Sequence, residues 1–223
     1  MDHQPRSGIC AKKKQRDRLI RLATTHPDWA LGFADEVWWS RVAQPRVASW
    51  AEAETPLRLV EQTVARRDPD PKALACYGLL VRGWNDAGQR DERMLLRFVD
   101  GRPVSAVTTP FLAWCCERLA AQGKTALLLV WDNASWHISK VVRGWIRQHN
   151  RAVKGGEARV RIIVCPLPTK SPWLNPIEPK WMHGKRWIVE PARLLTAEEI
   201  AERVCASFGC VHEPHLSMIG EAS

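Results

Sequence analysis

Two rhythms of apolar residues alternate along this chain, one suited to strands and one to helices. Trp29 to Ser40 is dense in aromatic and aliphatic residues, opens after Pro27 and Asp28, and reads as a strand, although Asp35 and Glu36 stand in its middle. Arg46 to Trp50 and Leu57 to Thr63 read as a strand pair around Pro56, and the link Ala65 to Lys72 is broken by Asp68-Pro69 and Asp70-Pro71. Ala73 to Arg82 is a further apolar strand, Trp84 to Arg93 a polar turn, and Met94 to Val99 a short strand closed by Asp100-Gly101. Thr125 to Trp131 is apolar without alternation, which predicts burial on both faces. Val160 to Cys165 completes the set of strands. Helical spacing appears from Lys13 to Thr25, behind a frayed Met1 to Gly8, and again from Pro110 to Gln122, where Gly123 is the stop. Ser139 to Asn150 carries Val141, Val142, Trp145 and Ile146 on one stripe and Lys140, Arg143 and Arg147 on another. Thr196 to Phe208 begins with Thr196 and Glu199 at capping-box spacing.

This order of elements predicts a mixed α/β domain. A length of 223 residues allows one substantial core. The formal net charge of +9 points to a polyanionic partner, although ordinary solvation explains a basic face equally well. Seven scattered cysteines, an odd number among apolar neighbours, predict free thiols in a reducing compartment. Cys205, Cys210, His212 and His215 are the one grouping with any look of a zinc site; the spacing is irregular, and a frayed C-terminal tail is the reading preferred. The basic N-terminus lacks the apolar run of a signal peptide, and Ala126 to Trp131 is far too short to span a bilayer, so a cytoplasmic protein with no membrane partner is expected.

The most informative stretch is Leu167 to Trp181. Pro168, Pro172 and Pro176 keep the approach extended or turned, the backbone is expected to become helical between Asn175 and Pro179, and Trp181, Met182 and Lys185 follow at helical intervals. A stiff loop thus delivers Glu178 on the first turn of a helix. Asn175 and Glu178 also fit a capping box with Pro176 at the first helical position, and that structural role stays open. Of the neighbours Asp35 and Glu36, only one can face a site shared with Glu178, because successive strand residues point to opposite faces.

Asp35-Glu36, then Trp131-Asp132-Asn133-Ala134-Ser135-Trp136-His137, then Ser171-Pro172-Trp173-Leu174-Asn175-Pro176-Ile177-Glu178 with Trp181 resemble, in order, the three signature blocks of DDE transposases in the bacterial insertion-sequence branch of the mariner superfamily. The third block is the specific one, and the resemblance runs from about Trp29 to Trp187. It implies a ribonuclease H-like fold, a mixed five-stranded sheet flanked by helices, over residues 27–190, with a basic arm or helix at 1–26 and a C-terminal helix and tail at 191–223. It implies DNA strand cleavage and strand transfer, with Asp35, Asp132 and Glu178 as the catalytic carboxylates. These would hold two Mg²⁺, replaceable by Mn²⁺, with Asp35 bridging both ions and Asp132 and Glu178 holding one each. Implied partners are transposon-end and target DNA and a second copy of the chain in a homodimer. The stretch before Asp35 is expected to be too short for a helix-turn-helix that reads the ends, which leaves open a fragment, a decayed copy, or one half of a split gene whose end-reading helix-turn-helix is a separate chain.

Asn133, His137, Lys170, Lys180, Lys185 and Arg186 are secondary candidates for DNA contact, each with a bland alternative as a turn, packing or solvated residue. Trp136 and Trp173 could stack on an unpaired base or staple their loops to the core. Two departures from the family stand out. Thr169-Lys170 replaces a proline and a tyrosine, and the interval from Asp132 to Glu178 is long, with its surplus expected in a polar loop from Asn150 to Glu157. Competing readings are a relic that only binds nucleic acid and a stand-alone ribonuclease H-like nuclease.

Overall fold

The central strand, β1 (Trp29–Ser40), lies where its apolar run predicts, and the rest of the molecule is arranged about it. The computed structural model describes residues 6–42, 63–84, 90–169, 171–188 and 193–217. On one side β1 pairs antiparallel with β2 (Ala73–Trp84), which pairs antiparallel with β3 (Arg90–Val99). On the other side β1 runs parallel to β4 (Ala126–Trp131), and β4 to β5 (Arg161–Pro166). The sheet is therefore five-stranded and mixed, in the order β3-β2-β1-β4-β5. All of β4 is buried, as its unbroken apolar sequence requires of an inner parallel strand.

Side-chain alternation sorts the core into two layers. Leu31, Phe33, Val37 and Trp39 of β1 face α1 (Arg6–Thr24), α4 (Glu178–Trp187) and α5 (Ala197–Ser207), meeting Ala23, Trp181, Ile200 and Val204. Ala30 and Ala34 face the opposite layer, where α2 (Ser105–Ala120) and α3 (Lys140–Gly155) contribute Val107, Phe111, Leu112, Val142 and Ile146. The capping box at the start of α5 is present, with Thr196 accepting from the Glu199 N–H and Glu199 from the Thr196 N–H.

Several boundaries differ from the expected ones. The first helix begins at Arg6, so residues 6–8 are helical and the frayed tail does not reach Gly8. β2 runs to Trp84 and β3 begins at Arg90, so both ends of the expected polar turn Trp84 to Arg93 are strand, and 85–89 lie outside the described residues. α2 starts at Ser105 with Pro110 inside it. A proline there removes one ladder hydrogen bond, but burial of Val107, Phe111 and Leu112 along one face outweighs that loss. α3 continues to Gly155 and closes on Gly156 at φ +82°, so the surplus between Asp132 and Glu178 is helix rather than a polar loop. Asn150 explains this: its amide donates to the Ile162 carbonyl at 2.8 Å and accepts from the Ile162 N–H at 2.9 Å, clasping the helix to β5. The segment 210–217 is docked rather than frayed. Leu216 bridges Val99, while Glu213 accepts from Arg97, Arg118 and Trp114. Of the pair Arg46 to Trp50 and Leu57 to Thr63, all but Thr63 lies outside the described residues.

Free thiols are found at Cys76, Cys115, Cys116, Cys165, Cys205 and Cys210, and burial raises the pKa of each. Among the described residues no helix is long and apolar enough to cross a membrane.

Candidate active site

β1 presents Asp35 to the α4 layer and Glu36 to the α2/α3 layer, as strand alternation demands. Three hydrogen bonds then fold the Leu167–Ile177 loop back over the strand ends. The Leu167 N–H donates to the Trp131 carbonyl at 2.8 Å, the Asn133 amide to the Leu167 carbonyl at 2.6 Å, and the Asn175 amide to the Ala34 carbonyl at 3.0 Å. Asn175 does not cap α4. Its side chain is committed to β1, the residue before the helix is Ile177, and no side chain caps that end. The capping-box reading of Asn175 and Glu178 is therefore corrected, and the loop is pinned one residue away from Asp35 instead.

This pinning sets Glu178 on the first turn of α4 and Trp181 one turn later against β1. The Trp181 indole N–H donates to Asp35 Oδ2 at 3.0 Å. Room for that ring comes from Gly78, which lies opposite Asp35 in the β1–β2 register; any Cβ there would run into the six-membered ring of Trp181. Gly78 was not singled out from the sequence, where a lone glycine inside an apolar strand was the available signal of close approach.

Opposed shifts mark the carboxylates. Burial, then repulsion from Glu178 and from Glu36, pushes the Asp35 pKa up from its ordinary 3.8 to about 8, against the Trp181 hydrogen bond. Glu178 is raised by burial and by Asp132, with Lys185 acting in the other direction. Asp132 is held below the usual range, because Oδ1 accepts from His137 Nδ1 and from the Ala134 N–H, both at 2.8 Å. His137 lies between Asp132 and Glu36, its Nε2 also 2.8 Å from Glu36 Oε1; these two partners overcome its burial and push its pKa to about 9. Asp132, Asn133, Leu167, Asn175 and Glu178 line a pocket of about 310 Å³, and the Asn175 Oδ1 in its wall is buried with no hydrogen-bond partner.

The secondary candidates divide. His137 is at the site, whereas Asn133 serves as a loop clasp. Lys180 pairs with Glu92 at 2.5 Å, and Lys185 bears electrostatically on Glu178. Lys170 and the side chain of Arg186 lie outside the described residues. Trp136 packs edge-on against His137, while Trp173 is 75 % exposed on the loop.

A family model for the DDE superfamily endonuclease domain matches residues 82–201, more than half of the chain and inclusive of Asp132 and Glu178. The chain belongs to the DDE superfamily of endonucleases. Asp35 lies outside the matched span. Among solved structures, the Mos1 transposase paired-end complex with left transposon end matches with a TM-score of 0.60 at 16% identity, over 95% of this chain and 57% of that one. The Mos1 strand transfer complex gives 0.58 at 14% identity over 94% and 56%, and the Mos1 mariner paired-end complex with Mn gives 0.57 at 15% over 94% and 57%. These likenesses establish the fold, which is ribonuclease H-like. The chain spans somewhat over half the length of the Mos1 chains it matches. No curated protein matches it.

Members of a DDE family imply a divalent metal, and the donors here fit one. They are carboxylate oxygens with an unpartnered amide oxygen beside them, the ligand type of hard cations such as Mg²⁺ and Mn²⁺. Burial first, and then the repulsion of Glu178 on Asp35 and of Asp132 on Glu178, raises the two acids, and a cation would relieve that repulsion. Among the described residues no three His, Cys, Asp or Glu side chains are grouped closely enough to hold one ion. The arrangement is instead pairwise: Glu178 bears on Asp35 and is itself borne on by Asp132. Magnesium sites often use only one or two carboxylates, with water and substrate phosphate supplying the rest.

Proposed function

We propose that this chain is the catalytic domain of a mariner-type transposase of an insertion sequence, which cuts and joins DNA strands with Mg²⁺ or, in its place, Mn²⁺. What supports this reading is the electrostatic bearing of Glu178 on Asp35 and of Asp132 on Glu178 in a DDE family member with a ribonuclease H-like sheet. Asp35, Asp132 and Glu178 would hold two such cations. When bound, divalent cations activate the attacking oxygen and stabilise the leaving one in phosphodiester displacement.

The protein's own contribution is positioning. Trp181 holds Asp35, His137 and the Ala134 N–H hold Asp132, and the Asn175 clasp fixes the loop that carries Glu178. Lys185 near Glu178 and the exposed Lys140, Arg143 and Arg147 of α3 would contact DNA phosphates, which position a duplex without reading it. The exposed Trp173 ring is suited to stack on an unpaired base at the cut. The partners in this proposal are transposon-end and target DNA and a second copy of the chain to pair two ends.

The test is nicking of a supercoiled plasmid in Mg²⁺ and in Mn²⁺ by the wild-type chain and by Asp132→Asn. Metal-dependent nicking by the wild type alone supports the reading. Equal activity in both proteins, or none in a folded wild type, overturns it. Nicking with no joining of a pre-cut end to target DNA would favour a stand-alone nuclease.

A further inference from the structure

Glu36 is the acid that strand geometry turns away from Asp35 and Glu178, yet it is not a bystander. Its side chain is only 8 % exposed, and a buried carboxylate is costly unless paired. Its partner is His137 Nε2 at 2.8 Å, and the other nitrogen of the same ring meets Asp132 Oδ1 at 2.8 Å. The ring is itself immobilised. It is 2 % exposed, stacked on Trp131 at 4.4 Å with the planes 10° apart, and met edge-on by Trp136. Each ring nitrogen thus lies within hydrogen-bond distance of one acid, and the histidine ties the two acids together.

We infer that Glu36 and His137 are positioning residues that lock the Asp132 carboxylate from the opposite face of the sheet, so that its second oxygen is presented to a divalent cation. The inference rests on the transposase reading and deepens it. Asp132 Oδ1 is already committed to His137 and to the Ala134 N–H, which leaves Oδ2 as the oxygen for a ligand. Without Glu36, the imidazole loses the acceptor that orients it, and Asp132 loses the defined direction of its donor. The layout parallels the general pattern in which a second carboxylate orients the group that touches a metal ligand. Here the span crosses between neighbouring strands, because Glu36 belongs to β1 and Asp132 follows β4.

The test compares wild type, Glu36→Gln, Glu36→Met, His137→Gln and the double variant Glu36→Met/His137→Gln. Mn²⁺ affinity is read by calorimetry, plasmid nicking over a range of Mn²⁺ concentration, and folding by thermal melting. Glu36→Gln keeps an acceptor for the ring nitrogen without the charge, whereas Glu36→Met fills the space with no acceptor. Glu36→Met and His137→Gln should each weaken Mn²⁺ binding about 10- to 100-fold. Their nicking should recover at high Mn²⁺, the double variant should be no worse than His137→Gln, and Glu36→Gln should stay within a few-fold of wild type. If Glu36→Met does not fold, Glu36→Gln against His137→Gln carries the same contrast.

Unchanged Mn²⁺ affinity in folded Glu36→Met, or in His137→Gln, overturns the inference and leaves the transposase reading intact. A Glu36→Gln as impaired as Glu36→Met also overturns it, by making Glu36 a direct ligand. A folded wild type that neither binds Mn²⁺ nor nicks overturns both.

Discussion

The two faces of β1 treat neighbouring acids in opposite ways. On the α4 side, Asp35 meets Glu178 and is offered one indole N–H, which is too little to keep its pKa from rising to about 8. On the α2/α3 side, Glu36 meets an imidazole that also holds Asp132, and the Asp132 pKa is lowered. Cationic charge is thus supplied by the protein on one face and left wanting on the other. The proposal of a cation beside Asp35 draws on this contrast.

The sharpest way to break this contrast is Asp35→Asn. Metal-dependent nicking should fall to background while the protein becomes more thermally stable, and the gain should be larger at pH 9 than at pH 5. Asp35 ionises near 3.8 when unfolded and near 8 when folded. Between those values the folded chain keeps a proton that the unfolded chain releases, so wild-type stability declines as pH rises from about 4 to about 8 and then levels. Asparagine escapes that decline. Melting curves across this range check it, and an equal effect at both pH values would mean that Asp35 is not strained.

Gly78→Ala comes next. The new methyl would strike the Trp181 ring, and overpacking of this kind costs about 1–3 kcal/mol. Denaturant melts measure the loss, and nicking should fall with it because Trp181 is displaced from Asp35.

Trp181→Phe removes the N–H but keeps most of the ring. A hydrogen bond to a charged acceptor contributes about 1.5–3 kcal/mol, so the loss should be greater at pH 9, where Asp35 is ionised, than at pH 5. Stability curves at the two pH values decide it.

Asn175→Ala should have the smallest effect, about 1 kcal/mol for the bond to Ala34, partly offset by removal of an oxygen that has no partner. Its signature is a lower nicking rate at nearly unchanged stability, since the loop that carries Glu178 loses its clasp.

How far this arrangement could be read from residues alone depended on whether a signal was local. β1 and β4 are dense apolar runs, and the α5 capping box is a local pattern, so each was legible. The order and chemistry of the three blocks named Asp35, Asp132 and Glu178; in the fold Glu178 bears electrostatically on Asp35 and Asp132 on Glu178, but no three acids among the described residues are grouped closely enough to hold one ion. The capping alternative for Asn175 stayed open because its spacing to Glu178 suits a cap, and only tertiary structure reveals the competing carbonyl of Ala34. Asn150 marks a loop by composition yet clasps β5, and Pro110 marks a helix start yet lies inside one, because packing overrode local preference in both places. Alternation correctly turned Glu36 away from Asp35, but it could not foresee a histidine from beyond the next strand reaching back to it.

The most direct test of the central claim is an anomalous-scattering map from crystals of the wild-type chain soaked in Mn²⁺. The account predicts density for Mn²⁺ among the carboxylates of Asp35, Asp132 and Glu178, lost in Asp132→Asn crystals. Mn²⁺ bound elsewhere, with none at these three side chains, would contradict it.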